Sequence, residues 1–383
     1  MTQNGGGSFC DFFDECVDKR GHILNALIRL QDFGQSLWIE HVTRERLRSG
    51  LFRKKIEEWR VTGLTIDTAA CELLLRTAQA YDPIIIRKLD EGTYGGALAL
   101  DLVLDETRFA ADLLRPAFER TDGMDGWAAL PMSPLLVADP GNLTTTIKEL
   151  HTRTQRSNIL ISIPGLPEYM KAIEEAFFAG VPLNVTLLFS REQYLEAARA
   201  YLRGVERRIA AGLDPVVGSF ASIPVAPLIS ALCAKLQGKC PIELVRAIAR
   251  RIYTASLDLK NSRRWEHANN AGTRPQRLLW DNTTSCKTSG LFTSTIRYLV
   301  APLTVAAMTE NTLETFAASD DTFVSMPAYG DDCEEVIGRY SEAGIDLETL
   351  TARLQKNEAE TLITLWIELL DAVARRSAEL TTK

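Results

Sequence analysis

The stretch Asn158-Ile159-Leu160-Ile161-Ser162-Ile163-Pro164-Gly165 decides the fold class of this chain. An apolar, β-branched run that ends at a proline and a glycine is typical of a buried strand in a parallel sheet. Ser162 interrupts the apolar run. The functional interpretation of this strand therefore depends on what a serine can do at that position.

Short β-branched runs alternate with longer amphipathic stretches on both sides of this strand, which indicates repeated βα units and a parallel sheet covered by helices. Eight runs are predicted to be strands, and eight is the number that closes a (β/α)8 barrel. They are Ser36–His41, Val61–Thr65, Gly126–Met132, Asn158–Ile163, Leu183–Phe189, Val217–Phe220, Arg277–Asp281 and Thr304–Ala307. The predicted fold class is α/β, a (β/α)8 TIM barrel with extra N- and C-terminal helices.

Helix signals lie between the predicted strands. Ser190 and Gln193 can form a capping box before a helix over Tyr194–Ala211. The stretch Asp346–Leu380 has apolar residues at helical spacing and is predicted to pack on the flank of the barrel. We expect residues 1–22 to be an irregular N-terminus and residues 23–383 to form one barrel domain that includes the C-terminal helical segment.

The composition is that of an ordinary globular protein, with 383 residues of which 46% are hydrophobic and 24% charged. A net charge of -7 without a basic tract argues against nucleic acid as a partner. No apolar run reaches the roughly 18 to 20 residues of a membrane span, and the polar N-terminus lacks a signal pattern, so we expect a cytoplasmic protein without membrane contact. The seven cysteines are scattered and the four histidines have no metal-ligand spacing, which predicts free thiols and no metal.

Seven groups of residues match, in order, one family of barrel enzymes. They are Leu37-Trp38-Ile39-Glu40, Val61-Thr62-Gly63-Leu64-Thr65, Asp112-Leu113-Leu114-Arg115-Pro116, Asn158 to Gly165, Asn184 to Ser190, Arg274 to Arg277 with Leu279-Trp280, and Ala301-Pro302 through Thr304-Val305 to Met308. In these groups the chain resembles a transaldolase of the long bacterial type. The resemblance implies a site at the C-terminal ends of the barrel strands, where a lysine of the family forms an imine with a ketose.

The resemblance also implies that most of the family's functional residues are replaced in this chain. The Schiff-base lysine falls at Ser162, whose hydroxyl cannot condense with a ketone to an imine. The proton-transferring aspartate falls at Glu40, which keeps the carboxylate but displaces it by a methylene. The other replaced positions are Asp67 for an asparagine, Pro131 for the relay glutamate, Leu166 for a threonine, and Pro224 for the phosphate-binding arginine.

A polar wall is predicted to survive at the mouth of the barrel. Asn184 and Thr186 are two residues apart and so share one face of a strand, and Ser219 lies on the next predicted strand. These side chains either bind a polar ligand or satisfy one another. Ser162 is either a hydrogen-bonding or nucleophilic group or a small residue that fills space. Glu40 and Asp67 form either an acid and base pair or two solvated carboxylates.

The replacements make the predicted mouth about two charges more negative than in the resembling enzymes, so a phosphate dianion would be repelled there. Imine chemistry would require another lysine, and Lys287, in the loop after the seventh predicted strand, is the candidate that could reach the pocket. A Ser-His-acid site is disfavoured because none of the four histidines is predicted to face Ser162.

Three functions remain open from the sequence. The first is a barrel repurposed to bind, and to transform by carboxylate acid and base chemistry, a small uncharged or cationic molecule, in a setting such as specialised metabolism. The second is a catalytically inactive partner subunit. The third is residual transaldolase activity of the pentose phosphate pathway through Lys287. No cofactor is implied by any of them, the expected partner is a small-molecule ligand, and a homo-oligomer is compatible with all three.

Overall fold

The computed structural model describes residues 27–66, 68–77, 79–137, 141–237, 241–281, 295–317, 325–327, 329 and 332–382. The predicted irregular segment 1–22 lies outside these residues, as do the candidate site residues Asp67 and Lys287. Among the helices of the described residues, none is both long and apolar enough to cross a membrane.

Eight parallel strands form a closed barrel in the order of the sequence. They are β1 (Ser36–Glu40), β2 (Gly63–Thr65), β3 (Trp127–Pro131), β4 (Ile159–Pro164), β5 (Leu183–Thr186), β6 (Ser219–Pro224), β7 (Arg277–Asp281) and β8 (Thr304–Thr309). The barrel closes because β8 pairs in parallel with β1, from Val305 opposite Ser36 to Thr309 opposite Glu40. The predicted (β/α)8 barrel is confirmed.

Helices surround the barrel and follow the strands. In chain order they are α1 (Arg44–Arg48), α2 (Leu51–Glu58), α3 (Thr68–Thr77), α4 (Asp82–Asp90), α5 (Gly95–Arg120), α6 (Leu143–Thr154), α7 (Met170–Phe178), α8 (Arg191–Ala210), α9 (Val225–Lys235), α10 (Ile242–Lys260), α11 (Arg263–Asn270), α12 (Glu310–Ala317), α13 (Cys333–Glu342) and α14 (Leu347–Thr381). Residues 27–32 are also helical, which confirms the extra N-terminal helix as α14 confirms the C-terminal one.

One strand, β7, has its predicted bounds, five strands differ from theirs by one or two residues, and two strands differ by more. The predicted fifth strand continued to Phe189, but β5 ends at Thr186 because Leu187 has a positive φ of 60°, which takes the chain out of the extended conformation. The predicted sixth strand ended at Phe220, whereas β6 runs from Ser219 to Pro224. This shift changes which serine of β6 reaches the C-terminal end of the barrel.

The N-terminus of α8 has the predicted hydrogen bond from Gln193 to Ser190, but the return bond to the Gln193 side chain comes from another residue. The Ser190 hydroxyl accepts a hydrogen bond from the backbone N–H of Gln193 at 3.2 Å, as a capping box requires. The Gln193 side chain accepts its return bond from the backbone N–H of Phe189 rather than from that of Ser190. Both bonds fix the entry of the chain into α8 directly after the C-terminal end of β5.

The middle of the barrel is filled by an apolar cluster. Its buried members are Trp38, Trp127, Ala129, Leu160, Phe220, Leu279, Val305 and Ala307. The ring of Phe220 lies 5.0 Å from that of Trp38 and 6.1 Å from that of Trp127. Gly63 makes room for this packing, since a Cβ at that position would lie 2.3 Å from Cε2 of Trp38. The interior is therefore a packed core and not a pore.

The N-terminal end of the barrel is closed by a buried arginine. The Nη1 atom of Arg277 donates to Asp125 and to the backbone carbonyl of Met124, both at 2.8 Å. Its Nη2 atom donates to the Ser36 hydroxyl at 2.6 Å. The charge of Arg277 is paired with that of Asp125, so structural contacts close this end of the barrel.

Candidate functional site

Polar side chains replace the apolar cluster one step further along the strands. Because side chains of a strand alternate between its two faces, the residues two positions after the apolar cluster also point into the barrel. These positions at the C-terminal ends are Glu40, Thr65, Pro131, Ser162, Asn184 with Thr186, Ser222, Asp281 and Thr309. We call this set the mouth ring. It contains hydroxyls, an amide and two carboxylates, and none of its members is a lysine or arginine.

Three members of the mouth ring form a hydrogen-bonded chain across β4, β5 and β6. The Ser222 hydroxyl donates to Oδ1 of Asn184 at 2.8 Å. The Nδ2 atom of Asn184 donates to the Ser162 hydroxyl oxygen at 3.4 Å. The amide of Asn184 is buried, and both its oxygen and its nitrogen are hydrogen-bonded. These two bonds fix the position of the half-buried Ser162.

The geometry at Ser162 favours hydrogen bonding over nucleophilic attack. A nucleophilic serine needs a neighbouring base that accepts its proton, and Asn184, its partner here, is a donor that cannot act as a base. Because Ser162 accepts this bond, its own O–H remains available to an oxygen atom of a ligand. Of the described histidines, His41 directly follows β1, His151 lies on α6, where burial lowers its pKa, and His267 lies on α11.

Glu40 is buried, with 1% of its surface exposed, at the last position of β1. It lines a cavity of about 310 Å³ between the C-terminal ends of β1 and β8 and the helices α1 and α2. His41 lines the same cavity. Its positive φ of 55° ends β1 and changes the direction of the chain.

The structure separates Ser219 from the other predicted wall residues. Ser219 is the first residue of β6, and its hydroxyl accepts a 2.9 Å hydrogen bond from Gln276 at the N-terminal end of β7. Ser222 occupies the place by Asn184 that Ser219 was expected to take. The alternation of inward-facing Phe220 and Ser222 was readable in the sequence, but the predicted strand stopped at Phe220.

The remaining predicted positions lie at or near the mouth ring. Pro131 is opposite Ser162 in the register of β3 and β4, and Thr186 is opposite Pro164 in that of β4 and β5. Leu166 lies just after β4 and precedes the 3-10 helix Pro167–Tyr169. These three side chains are half-buried. The structure therefore brings Glu40, Pro131, Ser162, Asn184, Thr186 and Leu166 to the same end of the barrel.

The helix α14 lies over this end of the barrel. Nε2 of Gln355 donates to the backbone carbonyls of Gly165 and Leu187, both at 2.9 Å, directly after β4 and β5. Further along α14, Arg376 forms an ion pair with Asp82 on the flanking helix α4. The sequence predicted packing on the flank, which the second half confirms, but the first half contacts the mouth.

A carboxylate pair joins α14 to the mouth ring. Burial raises the pKa of Glu358 on α14, and the charge of Asp281 at the end of β7 raises it further. Asp281 itself is 6% exposed. The position of Asp281 could have been noticed, since it ends a predicted strand, whereas no sequence pattern indicated that Glu358, in the distant C-terminal helix, would face it.

Lysines near the site are few in the part of the chain that the structure describes. Lys260 ends α10 at the opposite, N-terminal end of the barrel, where burial and the charge of Arg277 lower its pKa to about 8. Lys55 on α2 lines the cavity beside Glu40, which the sequence did not indicate. Within the described residues no group of three or more histidine, cysteine, aspartate or glutamate side chains is arranged to hold a metal ion.

Comparison with known proteins extends over almost the whole chain. Residues 37–373 match the family profile described as transaldolase/fructose-6-phosphate aldolase. The chain belongs to this family. Its match begins at β1 and ends within α14, so the family relationship covers the complete barrel and the helix over its mouth.

Curated relatives of this transaldolase-family chain are similar along their full lengths. "Transaldolase" of Thermobifida fusca is 30% identical over 361 residues, which are 92% of this chain and 98% of the relative. "Transaldolase 1" of Streptomyces avermitilis is 30% identical over 370 residues, 91% of this chain and 94% of the relative. "Transaldolase" of Saccharopolyspora erythraea is 31% identical over 357 residues, 90% and 95% of the two chains.

Proposed function

We propose that this transaldolase-family barrel binds a small non-phosphorylated molecule at its mouth ring and transforms it by proton transfer from carboxylates, without an imine. The observation that carries the proposal is the chain of Ser162, Asn184 and Ser222 at the same end of the barrel as the buried Glu40. The three hydrogen-bonded side chains supply oriented hydrogen bonds to a ligand, and the carboxylate of Glu40 supplies the acid or base.

The absence of a suitable amine supports chemistry other than imine formation. The family resemblance assigns Ser162 to the position of the Schiff-base lysine, and hydroxyls and amides cannot form an imine with a carbonyl carbon. No side chain of the mouth ring, which lies wholly within the described residues, carries an amine. A sugar phosphate would also find no arginine or lysine in the ring and would meet two carboxylates.

Acid and base roles are assigned by environment. Glu358 has a raised pKa and is the candidate proton donor, because a carboxyl of raised pKa retains its proton closer to neutral pH. Glu40, which ends β1, is the candidate base, and only β8 separates β1 from β7, whose last residue Asp281 raises the pKa of Glu358. Asp67 remains a predicted partner of Glu40 from the sequence.

Trapping of an imine tests the proposal. The protein is incubated with fructose 6-phosphate, reduced with sodium borohydride and examined by intact mass spectrometry, with the Thermobifida fusca relative as the positive control. We expect no added mass on this chain. A stoichiometric adduct would contradict the proposal.

The variant Ser162→Lys sharpens this test. Restoring the amine alone is expected to give no transaldolase turnover, since the resemblance implies that the relay glutamate at Pro131 and the phosphate-binding arginine at Pro224 are also replaced. The measurement is a coupled assay with fructose 6-phosphate and erythrose 4-phosphate. Appreciable turnover by this single variant would show that the other replacements matter less than proposed.

A second candidate function is residual transaldolase activity, which the names and the full-length coverage of the relatives favour. It requires an amine outside the mouth ring, for which the sequence offers Lys287. If the trapping experiment gives an adduct, peptide mapping and the variant Lys287→Met decide whether this residue forms it. A non-catalytic partner subunit stays a prediction from the sequence.

A further inference from the structure

The N-terminal end of the barrel contains buried polar atoms that the chain itself does not pair. Four of them have no hydrogen-bond partner among the described residues, although their residues are only 1% to 5% exposed. They are Oε1 of Gln35, Oγ1 of Thr273, Oε1 of Gln276 and Nε of Arg277. Because buried polar atoms in proteins are nearly always hydrogen-bonded, we expect partners for these atoms to come from outside the chain.

Lys260 and Arg277 place two positive charges at this end against the one carboxylate of Asp125. Nη1 of Arg277 pairs with Asp125 at 2.8 Å, and Nη2 donates to the Ser36 hydroxyl and to the carbonyl of Thr304. Lys260 is the last residue of α10 and is half-buried, and its side chain forms neither a hydrogen bond nor an ion pair with any described residue. Asp125 therefore balances Arg277, while the ammonium of Lys260 has no counter-charge in the described part of the chain.

The surroundings of Lys260 make its amine a nucleophile near neutral pH. Burial and the neighbouring charge of Arg277 lower its pKa to about 8. At that pKa roughly one amine in ten is neutral at pH 7, against roughly one in several thousand for an unperturbed lysine. Burial and a neighbouring cation are the two means by which proteins activate lysine amines, and Lys260 combines both.

The charge of Arg277 favours an electrophile that leaves a negative group on this amine. A carbonyl compound would leave a positive iminium beside the guanidinium, and an acyl donor would leave a neutral amide. Carbon dioxide leaves a carbamate, whose two oxygen atoms carry a negative charge and match the N–H groups of a guanidinium. It is also small enough to reach a half-buried amine. Nε of Arg277 is a buried donor that could pair with such an anion.

We propose that the amine of Lys260 reacts reversibly with carbon dioxide to form a carbamate, whose carboxylate accepts a hydrogen bond from Nε of Arg277. The nitrogen of Lys260 forms a bond to the carbon of carbon dioxide, the electron pair of one C–O π bond moves to oxygen, and one proton of the amine passes to water. No oxidant or reductant takes part. The charge at Lys260 changes from positive to negative, so Arg277 then lies between two anions, the carbamate and Asp125.

Chemical trapping of the carbamate on the whole protein tests the proposal. The protein is equilibrated with 13C-labelled bicarbonate at about pH 8, near the pKa of the amine, and treated with triethyloxonium ion, which ethylates a carbamate. Peptide mapping by mass spectrometry then locates the labelled group. Lys235 is the internal control, because it also ends a helix, α9, but is exposed. We expect at least about tenfold more label on Lys260 than on Lys235, and equal label or none on Lys260 would overturn the proposal.

Substitution of Asp125 tests the role that the proposal gives to Arg277. In Asp125→Asn the guanidinium loses its carboxylate partner, so the carbamate becomes its main counter-charge and the trapped fraction of Lys260 is expected to rise by about twofold or more. Substitution of Arg277 itself is avoided, since its hydrogen bonds close this end of the barrel. Circular dichroism checks the fold of the variant. An unchanged or smaller trapped fraction in folded Asp125→Asn would contradict the contact between Arg277 and the carbamate.

Thermal unfolding gives a second measurement of the same event. Because a group that forms on the folded chain stabilises it, the unfolding midpoint should rise with dissolved carbon dioxide at constant pH and ionic strength. The rise is expected in the unaltered protein and in the control Lys235→Gln, and it should be lost in Lys260→Gln. An equal rise in all three would show a general effect of the solute and overturn the proposal. These outcomes are independent of the proposed function, since Lys260 lies at the end of the barrel opposite the mouth ring.

Discussion

The apolar cluster in the middle of the barrel, which we call the middle layer, and the mouth ring are built from the same strands, two residues apart. The middle layer is apolar, whereas the mouth ring is mostly polar. On β1 the step is from Trp38 to Glu40, and on β6 it is from Phe220 to Ser222. The middle layer excludes water and interlocks its rings at 5.0 Å, while the mouth ring holds polar groups by hydrogen bonds. We therefore expect the middle layer to contribute more to stability than the mouth ring, and the two sets should differ in their sensitivity to substitution.

The largest expected effect is in the middle layer. Trp127→Ala removes a buried ring that packs on Phe118 and Phe220 and donates to the carbonyl of Gly123. Truncation of a buried tryptophan costs about 3 to 5 kcal/mol, so the free energy of unfolding in urea should fall by that amount. Ser162→Ala is the matched variant of the mouth, with an expected cost of about 1 kcal/mol or less, since its bond from Asn184 is long at 3.4 Å. Similar losses in both variants would refute the division between the layers.

A smaller loss is expected when the middle layer is overpacked. Gly63→Ala places a Cβ 2.3 Å from Trp38, whose indole cannot move without displacing Phe220. Overpacking typically costs about 1 to 3 kcal/mol. Gly338→Ala is the matched control, because Gly338 lies within α13 with nothing within 4 Å of the added Cβ, and it should gain about 0.5 to 1 kcal/mol. A stabilising Gly63→Ala in thermal or urea unfolding would show that the layer is looser than described.

The smallest expected effect concerns the edge of the mouth and depends on pH. The pKa of Glu358 is raised by burial and by Asp281, so the folded chain binds this proton more tightly than the unfolded chain. The resulting contribution to stability is complete below the unfolded value of about 4.3 and is lost as the pH rises through the folded value. Glu358→Gln removes the charge and should raise stability at pH 8 by about 0.5 kcal/mol, a modest figure because solvent screens this half-exposed group.

The same variant should show no gain at pH 4, where Glu358 is protonated in the folded chain. Thermal unfolding at the two pH values measures the difference, and Lys356→Gln, an exposed neighbour on α14, serves as the control. A constant gain across pH would mean that the carboxylate pair does not act through its charge.

The prediction of the fold succeeded because the strands carry their signals locally. The run Asn158–Ile163 is mostly apolar and β-branched and is followed by turn residues, and β4 lies within one residue of those bounds, at Ile159–Pro164. The larger errors occurred at the C-terminal ends of two strands. Leu187 shortens β5 through its positive φ, and β6 extends past Phe220 to Pro224 because its pairing with β7 continues to Asp281.

The candidate site was predictable only in part, for a related reason. The ends of strands can be read from the sequence, which led to Glu40, Ser162 and Asn184 at one end of the barrel. Ser219 was placed there because an error in the bounds of one strand exchanges the residues that reach its C-terminal end. Lys55 left no periodic pattern, because it lies on the short helix α2, which reaches the cavity beside Glu40 only in the folded chain.

The sequence by itself determined the barrel and its family, because these follow from local periodicity and from the identity of residues in order. The tertiary structure alone decided which side chains meet. It joined Ser162 to Ser222 through Asn184 and placed Glu358 of α14 beside Asp281. These contacts join residues far apart in the chain, and only the closure of the barrel and the packing of helices on its mouth bring them within reach.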